Sequence, residues 1–487
     1  MTIRYALQVA PRWEACAGYA IRLLLEGTGV PARRVDMAAE ADLVYSRERP
    51  DALSETGLWI AAGDVSDWNS PQVEVSWHGE LPILHYPGTG GAASTADVAP
   101  DIVYSTYALV TGALEREQRK DPWGVPIAED SFLGKAGLLQ YPVVAMYCSY
   151  LASMLRRRNG ALEQVPLWPG GKKYAIVLSH DVDAPFRRAP WSFYLRRLRN
   201  HLTRPAPRLA LRGVVQMAKI AALTRLAPMK PALEDPNFCF EQWLEIEGSL
   251  PAASCFYVAV TTSADRVGSP VDVEYDFRQP DLADQLRRAV ERGWEVGLHA
   301  SVNARTIPGR FAEEKSMLES VLGGYHVKGL RHHFWALDPQ LPERIFWQHA
   351  EAGLTYDSSL GLNDAPGFRR GMIWPFHPFD PERGVEIPLL EVPPTLMDGG
   401  IFYRSVTPEA GYQQIKDHLR QVAGYGGAAV LDWHMEQLNP ARLGGAGPIL
   451  VRVLKELASD SDIYWATPAQ ISSWWQTRRK QLDAIAR

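Results

Sequence analysis

Cysteine is scarce in this chain. Only Cys16, Cys148, Cys239 and Cys255 occur among 487 residues, far apart and with no CxxC pair. That leaves no disulfide framework and suits free thiols in a reducing cytoplasm. No apolar stretch reaches the ~18 residues needed to cross a bilayer. The start, Met1-Thr-Ile-Arg-Tyr-Ala-Leu-Gln-Val-Ala-Pro11, lacks a basic segment followed by a sustained apolar core, so no secretion signal is expected. Positive charge is not in excess. A net charge of -5 argues against a generic nucleic-acid binder. There is no internal repeat and no low-complexity segment. Residues 1–165 hold no paired carboxylates, metal-ligand spacing or phosphate loop. Their single histidines beside strand-like segments, His78 and His85, read as structural. Acidic residues vanish between Asp183 and Glu234, a gap that returns below.

What is present is an ordinary globular balance, 46% hydrophobic and 22% charged. The length suits two domains, because a barrel of roughly 250 residues counts as one. Residues 1–165 read as a smaller α/β domain. Strands are expected at Ile3–Val9, Ala41–Ser46, Leu58–Ala62 and Leu81–Tyr86. Helices are expected near Trp13–Glu26, Ile102–Glu117 and Tyr141–Arg157. Arg156-Arg-Arg-Asn-Gly160 and the Pro166, Pro169, Gly170, Gly171 cluster read as a linker. Residues 172–487 form the second unit.

The second unit opens on Tyr174-Ala-Ile-Val-Leu-Ser-His-Asp-Val-Asp183. An apolar run of this length suits a strand buried on both faces of a parallel sheet. In such sheets ligands bind beyond the carboxyl ends of the strands. Strand alternation puts Asp181 and Asp183 on one side and His180 on the other. Two neighbouring carboxylates repel, so they need a metal, an Arg or a shared proton. A turn or helix cap is the plainer explanation of the same residues.

Further strands are expected at Ser254–Val260, Trp294–Leu298, Gly329–Trp335, Gly427–Trp433 and Ile463–Ala466. A helix capped by Asp281 lies between the first two. Thr467-Pro-Ala-Gln470 forms a capping box for the last helix. Repeated strand–helix units imply a parallel sheet or barrel. Ionisable residues keep falling near strand carboxyl ends: His299, Arg331, His332, His333 and His434. Between 186 and 232, basic residues gather, and Trp191, Tyr194, Leu195, Leu198 and Leu202 follow helical spacing. This basic amphipathic insertion suits an anionic membrane surface or an acidic ligand, or simply a solvated helix face.

In order, Asp181, Asp183, His299, Ser301, Asn303, Arg331 and His434 resemble the motif set of the polysaccharide deacetylases, the NodB-like carbohydrate esterases. Ser179-His-Asp-Val-Asp183 resembles the first motif, and Ser254-Cys-Phe-Tyr-Val258 the second strand. Gly297-Leu-His-Ala-Ser-Val-Asn303 resembles the metal motif, and Leu431-Asp-Trp-His434 the last one. The likeness covers about 170–475. Thr355-Tyr-Asp-Ser-Ser-Leu-Gly361 and Gly367-Phe-Arg-Arg-Gly371 resemble a subgroup with the HDVD signature, whose uncharacterised N-terminal domain is similar to residues 100–155.

The resemblance implies a distorted (β/α) barrel of about seven strands and removal of an N-acetyl or O-acetyl group from a sugar or glycan precursor. It implies Asp181 as base, Arg331 as the residue holding that base, and His434 as acid. It further implies Asp183, His299 and Asn303 around a divalent metal, Zn most of all, with Mn, Co or Fe as alternatives. Asn303 stands where the family has a second His. An amide oxygen is a poorer zinc ligand than imidazole. His180, His332, His333 and His377 are the spare imidazoles, and alternation favours His333 because it shares a side with Arg331. Ser301, His333, Trp335, Trp374 and Asp432 are candidate substrate contacts. Core packing explains most tryptophans, Asp432 fits either a partner of His434 or an unrelated ion pair, and Trp294 is a further aromatic face. Rival readings are an amide or carbamate hydrolase without metal, a catalytically inactive carbohydrate-binding scaffold, and a glycosidase using Glu391 with Asp398.

Overall fold

The computed structural model describes residues 2–88, 96–98, 101–160, 162–186, 234–260, 272–273, 275–403, 407–440, 442 and 445–487. The expected basic helix of the 186–232 insertion, with any membrane contact through it, lies outside the described residues beyond Phe186. Among the described residues no helix is long and apolar enough to cross a membrane.

The first strands are β1 (Ile3–Gln8), β2 (Ala32–Arg34), β3 (Leu43–Ser46) and β4 (Leu58–Ala61), a parallel sheet of order β2-β1-β3-β4. β5 (Glu74–His78) and β6 (Leu81–His85) form a hairpin. Helices Glu14–Thr28 and Val143–Asn159 pack beside them. The predicted helix from Ile102 stops at Val110, because Gly112 turns left-handed (φ 72°) and starts a new turn.

The larger sheet begins with β7 (Tyr174–Val182), whose nine residues are all buried. It continues through β8 (Ser254–Val258), β9 (Glu295–Ala300), β10 (Gly329–His332) and the two-residue strand β11 (Tyr356–Asp357). A small antiparallel pair, β12 (Phe379–Asp380) and β13 (Val385–Glu386), stands apart. Then come β14 (Leu390–Glu391), β15 (Leu396–Met397), β16 (Ala428–Asp432) and β17 (Ile463–Ala466). The order is β14-β11-β10-β9-β8-β7-β16-β15, with β17 on β7, and every pairing is parallel. β16 takes one edge of β7. The other edge is shared: β17 pairs with Tyr174–Val177 and β8 with Leu178–Val182. Helices alternate with the strands, and no pairing joins β14 to β15 among the described residues. The result is an open α/β half-barrel. All carboxyl ends point the same way, which is what gathers Asp181, His299, Arg331 and Asp432 at one mouth.

Both parts of the chain contribute to one hydrophobic core, which runs from Ile3 to Trp475. The last helix, Pro468–Ala486, carries the predicted capping box at Thr467 and Gln470. Its buried Arg478 donates to the carbonyls of Glu26 and Pro166, so the proline-rich segment is tied down at that point. Gly367-Phe-Arg-Arg-Gly371 makes a second tie. Arg369 binds both oxygens of Glu115 at 2.8 and 3.0 Å, and Arg370 adds a third bond at 3.1 Å.

Burial pushes the Glu115 carboxyl up, but Arg369 and Arg370 outweigh it and bring the group down from 4.5 to about 2. The unfolded chain therefore takes up this proton first as pH falls. The pair's contribution is whole above pH 4.5 and is lost on the way down to about 2. Glu115→Gln is expected to melt at a lower temperature at neutral pH, and the gap to the native protein should narrow through that window. A gap that stays constant in thermal melts would show that the pair does not contribute in this way.

Candidate active site

Asp183 lies at the centre of the mouth, just past the end of β7. Its Oδ1 is 3.2 Å from His299 Nε2. Its Oδ2 is 3.4 Å from His333 Nε2 and 3.4 Å from His434 Nε2. Each imidazole is held from behind through its other nitrogen. His299 Nδ1 lies 3.1 Å from the Arg331 carbonyl. His333 Nδ1 lies 3.3 Å from Asp272, and His434 Nδ1 lies 2.9 Å from Asp398. Carbonyl and carboxylate oxygens only accept, so these Nδ1 atoms carry the hydrogens and the three Nε2 atoms turn toward Asp183.

This donor set fits a divalent cation. Asp183, His299 and His333 bring one carboxylate oxygen and two imidazole nitrogens within 4.8 Å of one another. Asp183 Oδ1 and His299 Nε2 are buried with no hydrogen-bond partner, acceptor facing acceptor. Such a pair is stable only with a proton or a cation between its members. Outer partners that fix the tautomer of each imidazole are what metal ligands need.

The charges agree. Burial pushes Asp183 up, but His333 and the other imidazoles hold it well below the ordinary carboxylate range. Burial pushes His333 down, but Asp183 raises it to about 9. His434 ends well above its ordinary value, because Asp398 and Asp183 outweigh its burial. His332, the next residue to His333, faces the other side of the sheet. There burial, with Arg305 next, pushes it down to about 3. Its Nε2 lies 2.9 Å from His349 Nε2, in a buried group completed by Asp357.

Behind Asp183 is Asp181. Its Oδ2 is 3.7 Å from His299 Nε2 and its Oδ1 accepts from Arg331 Nη1 at 2.9 Å. Arg331 is fully buried. Its guanidinium also donates to the carbonyl and hydroxyl of Ser358, at 3.1 and 3.2 Å, and lies 4.4 Å over the Tyr257 ring. Gly297 makes room for that ring: a Cβ there would sit 2.6 Å from it. Asp432 Oδ1 lies 2.9 Å from the same Nη1.

The other expected residues take the following places. Asn303 is half-buried in the turn after β9, where its backbone carbonyl accepts from Thr306 Oγ1. The second imidazole beside Asp183 and His299 is His333, the spare that alternation favours. His180 faces away, between the Trp433 carbonyl at 2.8 Å and Glu247 at 2.7 Å. His377 lies 2.8 Å from the Leu389 carbonyl, remote from the mouth. The Ser301 hydroxyl is engaged by buried Glu314. Trp374 is core, donating to the Gly426 carbonyl at 2.9 Å. Trp335 is core too, packed with Val125, Ala128, Leu362 and Met397. Trp294 donates to Glu247 at 2.6 Å. Asp432 pairs with Arg331, and the carboxylate that orients His434 is Asp398. The two carboxylates of the glycosidase reading, Glu391 and Asp398, have separate partners. Glu391 is the register partner of Asp357, while Asp398 serves His434.

Sequence reasoning missed the roles of Asp398, Asp272, Tyr257 and Ser358. Asp398 left no strand-end signal, because β15 before it is only two residues long. Two aromatic rings at the margin were missed as well. Phe334 stacks on His333 with centroids 3.9 Å apart, and Trp123 stacks on Phe334 at 4.2 Å. Phe334 and Trp335 both have positive φ, 55° and 52°. A bulky residue in that region costs about 1–3 kcal/mol. β10 ends at His332, just before this turn, and His333 Nε2 faces Asp183.

No family model matches the chain. One curated relative, the pyridoxine/pyridoxamine 5'-phosphate oxidase of Chelativorans sp. (strain BNC1), is 29% identical over 132 residues, 24% of this chain. The chain spans 61% of the length of that relative. Among solved structures, a protein described as a polysaccharide deacetylase from Mycobacterium smegmatis is 20% identical, with a TM-score of 0.42 over 64% of this chain and 93% of that one. An allantoinase is 12% identical, with a TM-score of 0.40 over 65% and 95%. A protein described as a polysaccharide deacetylase from Pseudomonas aeruginosa PAO1 is 16% identical, with a TM-score of 0.40 over 65% and 96%. At such distances the chemistry of this chain is read from its own side chains.

Proposed function

We propose that the protein is a metal-dependent hydrolase that removes an N-acetyl or O-acetyl group from a sugar or glycan precursor. One observation carries this reading. A carboxylate and imidazoles converge at Asp183 beside an Asp181–Arg331 pair and an Asp398–His434 pair. That supplies a cation site, a base and an acid within one mouth.

Asp183, His299 and His333 would hold the cation. Two imidazoles and a carboxylate suit Zn²⁺, and the same set accepts Fe²⁺, Mn²⁺ or Co²⁺. A divalent cation supplies Lewis acidity, polarising an acyl carbonyl and making water a stronger acid. Asp181 takes the proton from the attacking water on its Oδ2, since its Oδ1 is committed to Arg331. Arg331, anchored on Ser358 and Asp432, fixes the direction of that carboxylate. His434 donates a proton from Nε2 to the departing amine or alkoxide. Asp398 keeps the other nitrogen protonated and the ring aimed. His434 and Asp183 keep side-chain exposures of 17% and 22%, against 1% for His299, so substrate approaches from their side. Trp123, partly exposed and the outer ring on Phe334, offers an aromatic surface that suits the apolar C–H face of a sugar.

The test is release of acetate. Purified protein supplied with Zn²⁺, Mn²⁺, Co²⁺ or Fe²⁺ is incubated with acetylated sugar nucleotides. Free acetate is expected with at least one ion, and a chelator should suppress it. Sugar bound with no acetate released under any ion would sink the reading. Reducing ends appearing instead would point to glycoside cleavage.

A further inference from the structure

We propose that Trp123, carried by the N-terminal part of the chain, is a positioning residue for His333, so that this part of the protein helps build the cation site. The inference rests on the reading of Asp183, His299 and His333 as ligands. Three rings lie as near-parallel plates. His333 and Phe334 are 3.9 Å apart at 19°, and Phe334 and Trp123 are 4.2 Å apart at 6°. Phe334 fills the gap between the other two only because its backbone is left-handed, and Trp335 after it is left-handed too. Bulky residues leave that region unless something holds them.

What holds them comes partly from outside the barrel. Asn363 Nδ2 donates to the Phe334 carbonyl at 3.1 Å and to Asp121 Oδ2 at 2.8 Å. Asp121 Oδ1 accepts from the backbone N–H of Trp123 at 2.8 Å and of Val125 at 3.0 Å, shaping the turn that presents the indole. Arg305, in the turn after His299, donates to the Trp123 carbonyl at 2.9 Å. Val125 and Ala128 pack on buried Trp335, whose ring fits against Gly361 so closely that a Cβ there would be 2.0 Å away. One short turn therefore touches the segments bearing both imidazoles. Without the indole, Phe334 loses the plate on its outer face, the strained turn relaxes, and His333 moves off Asp183.

The test uses the full chain stripped of metal and titrated with Co²⁺, read by its visible absorption and by competition with Zn²⁺. Trp123→Ala is expected to weaken cation binding about tenfold or more, as loss of an outer support does at metal sites. Trp123→Phe, which keeps a plate, should restore most of the affinity. Asn363→Ala frees both the Phe334 carbonyl and the Asp121 carboxylate that shapes the Trp123 turn, keeps the indole itself, and should weaken binding as Trp123→Ala does. His333→Ala is the reference for a lost ligand. If His333→Ala weakens binding but Trp123→Ala and Asn363→Ala match the native protein, the proposal fails while the site stands. A lower melting temperature with unchanged affinity likewise overturns it, because that outcome marks a merely structural role. If His333→Ala also binds like the native protein, the ligand set itself is wrong and the proposal falls with it.

Discussion

Replacing Asp183 with Ala is expected to abolish both stoichiometric divalent-metal binding and turnover. The residue is the common neighbour of three imidazole nitrogens, at 3.2, 3.4 and 3.4 Å. The neighbouring carboxylates already have partners, and Asp181 keeps Oδ2 alone for the site, 3.7 Å from His299 Nε2. Asp181 is committed to Arg331, Asp272 to His333 Nδ1, and Asp398 to His434 Nδ1. Removing the one anion leaves imidazoles facing each other and raises the cost of placing a cation among them. Elemental analysis of the purified variant, with acetate release beside it, measures both effects. A variant that keeps one equivalent of metal would show that the cation is held elsewhere. The fold should survive, because Asp183 lies beyond the last paired residue of β7 and is partly open to solvent.

Asp181→Asn is expected to give the opposite split, with metal retained and turnover lowered about 10²- to 10⁴-fold, the range of a general base. Asn is nearly isosteric and can still accept from Arg331, but its amide does not take a proton from water. The buried guanidinium is not left unpaired, because Asp432 lies 2.9 Å from the same nitrogen. Burial raises the Asp432 carboxyl well above its ordinary value, Arg331 opposing and Asp181 adding to the shift. Losing the Asp181 charge therefore makes Asp432 easier to ionise, and the pair with Arg331 persists. Stability should change little, so a fall in turnover reads as chemistry. Unchanged acetate release would remove Asp181 from the reaction.

Much of this arrangement was legible in the chain. β7 was readable because nine residues buried on both faces need an unbroken apolar run, and its alternation placed Asp181 and Asp183 together with His180 behind. The same rule separated Arg331 and His333 from His332. The two-residue strands β11, β14 and β15 were not readable, since two residues show no period. Nor was the partner of His434. Asp432 shares its strand and its parity, yet Asp398 from a neighbouring strand end reaches the ring first. Trp335 and Trp374 looked like sugar platforms by residue type alone, and packing made both core.

Local order set by side-chain chemistry and by the alternation of a strand was therefore determined by the sequence: which strands exist where they are long, and which ionisable residues end them. The choice among several equivalent imidazoles, carboxylates and rings was decided only in three dimensions. Those choices depend on distances between segments 150 or more residues apart, such as Trp123 to Phe334 and Asp181 to Arg331. They depend also on a left-handed turn that no local pattern at Phe334 and Trp335 foretells.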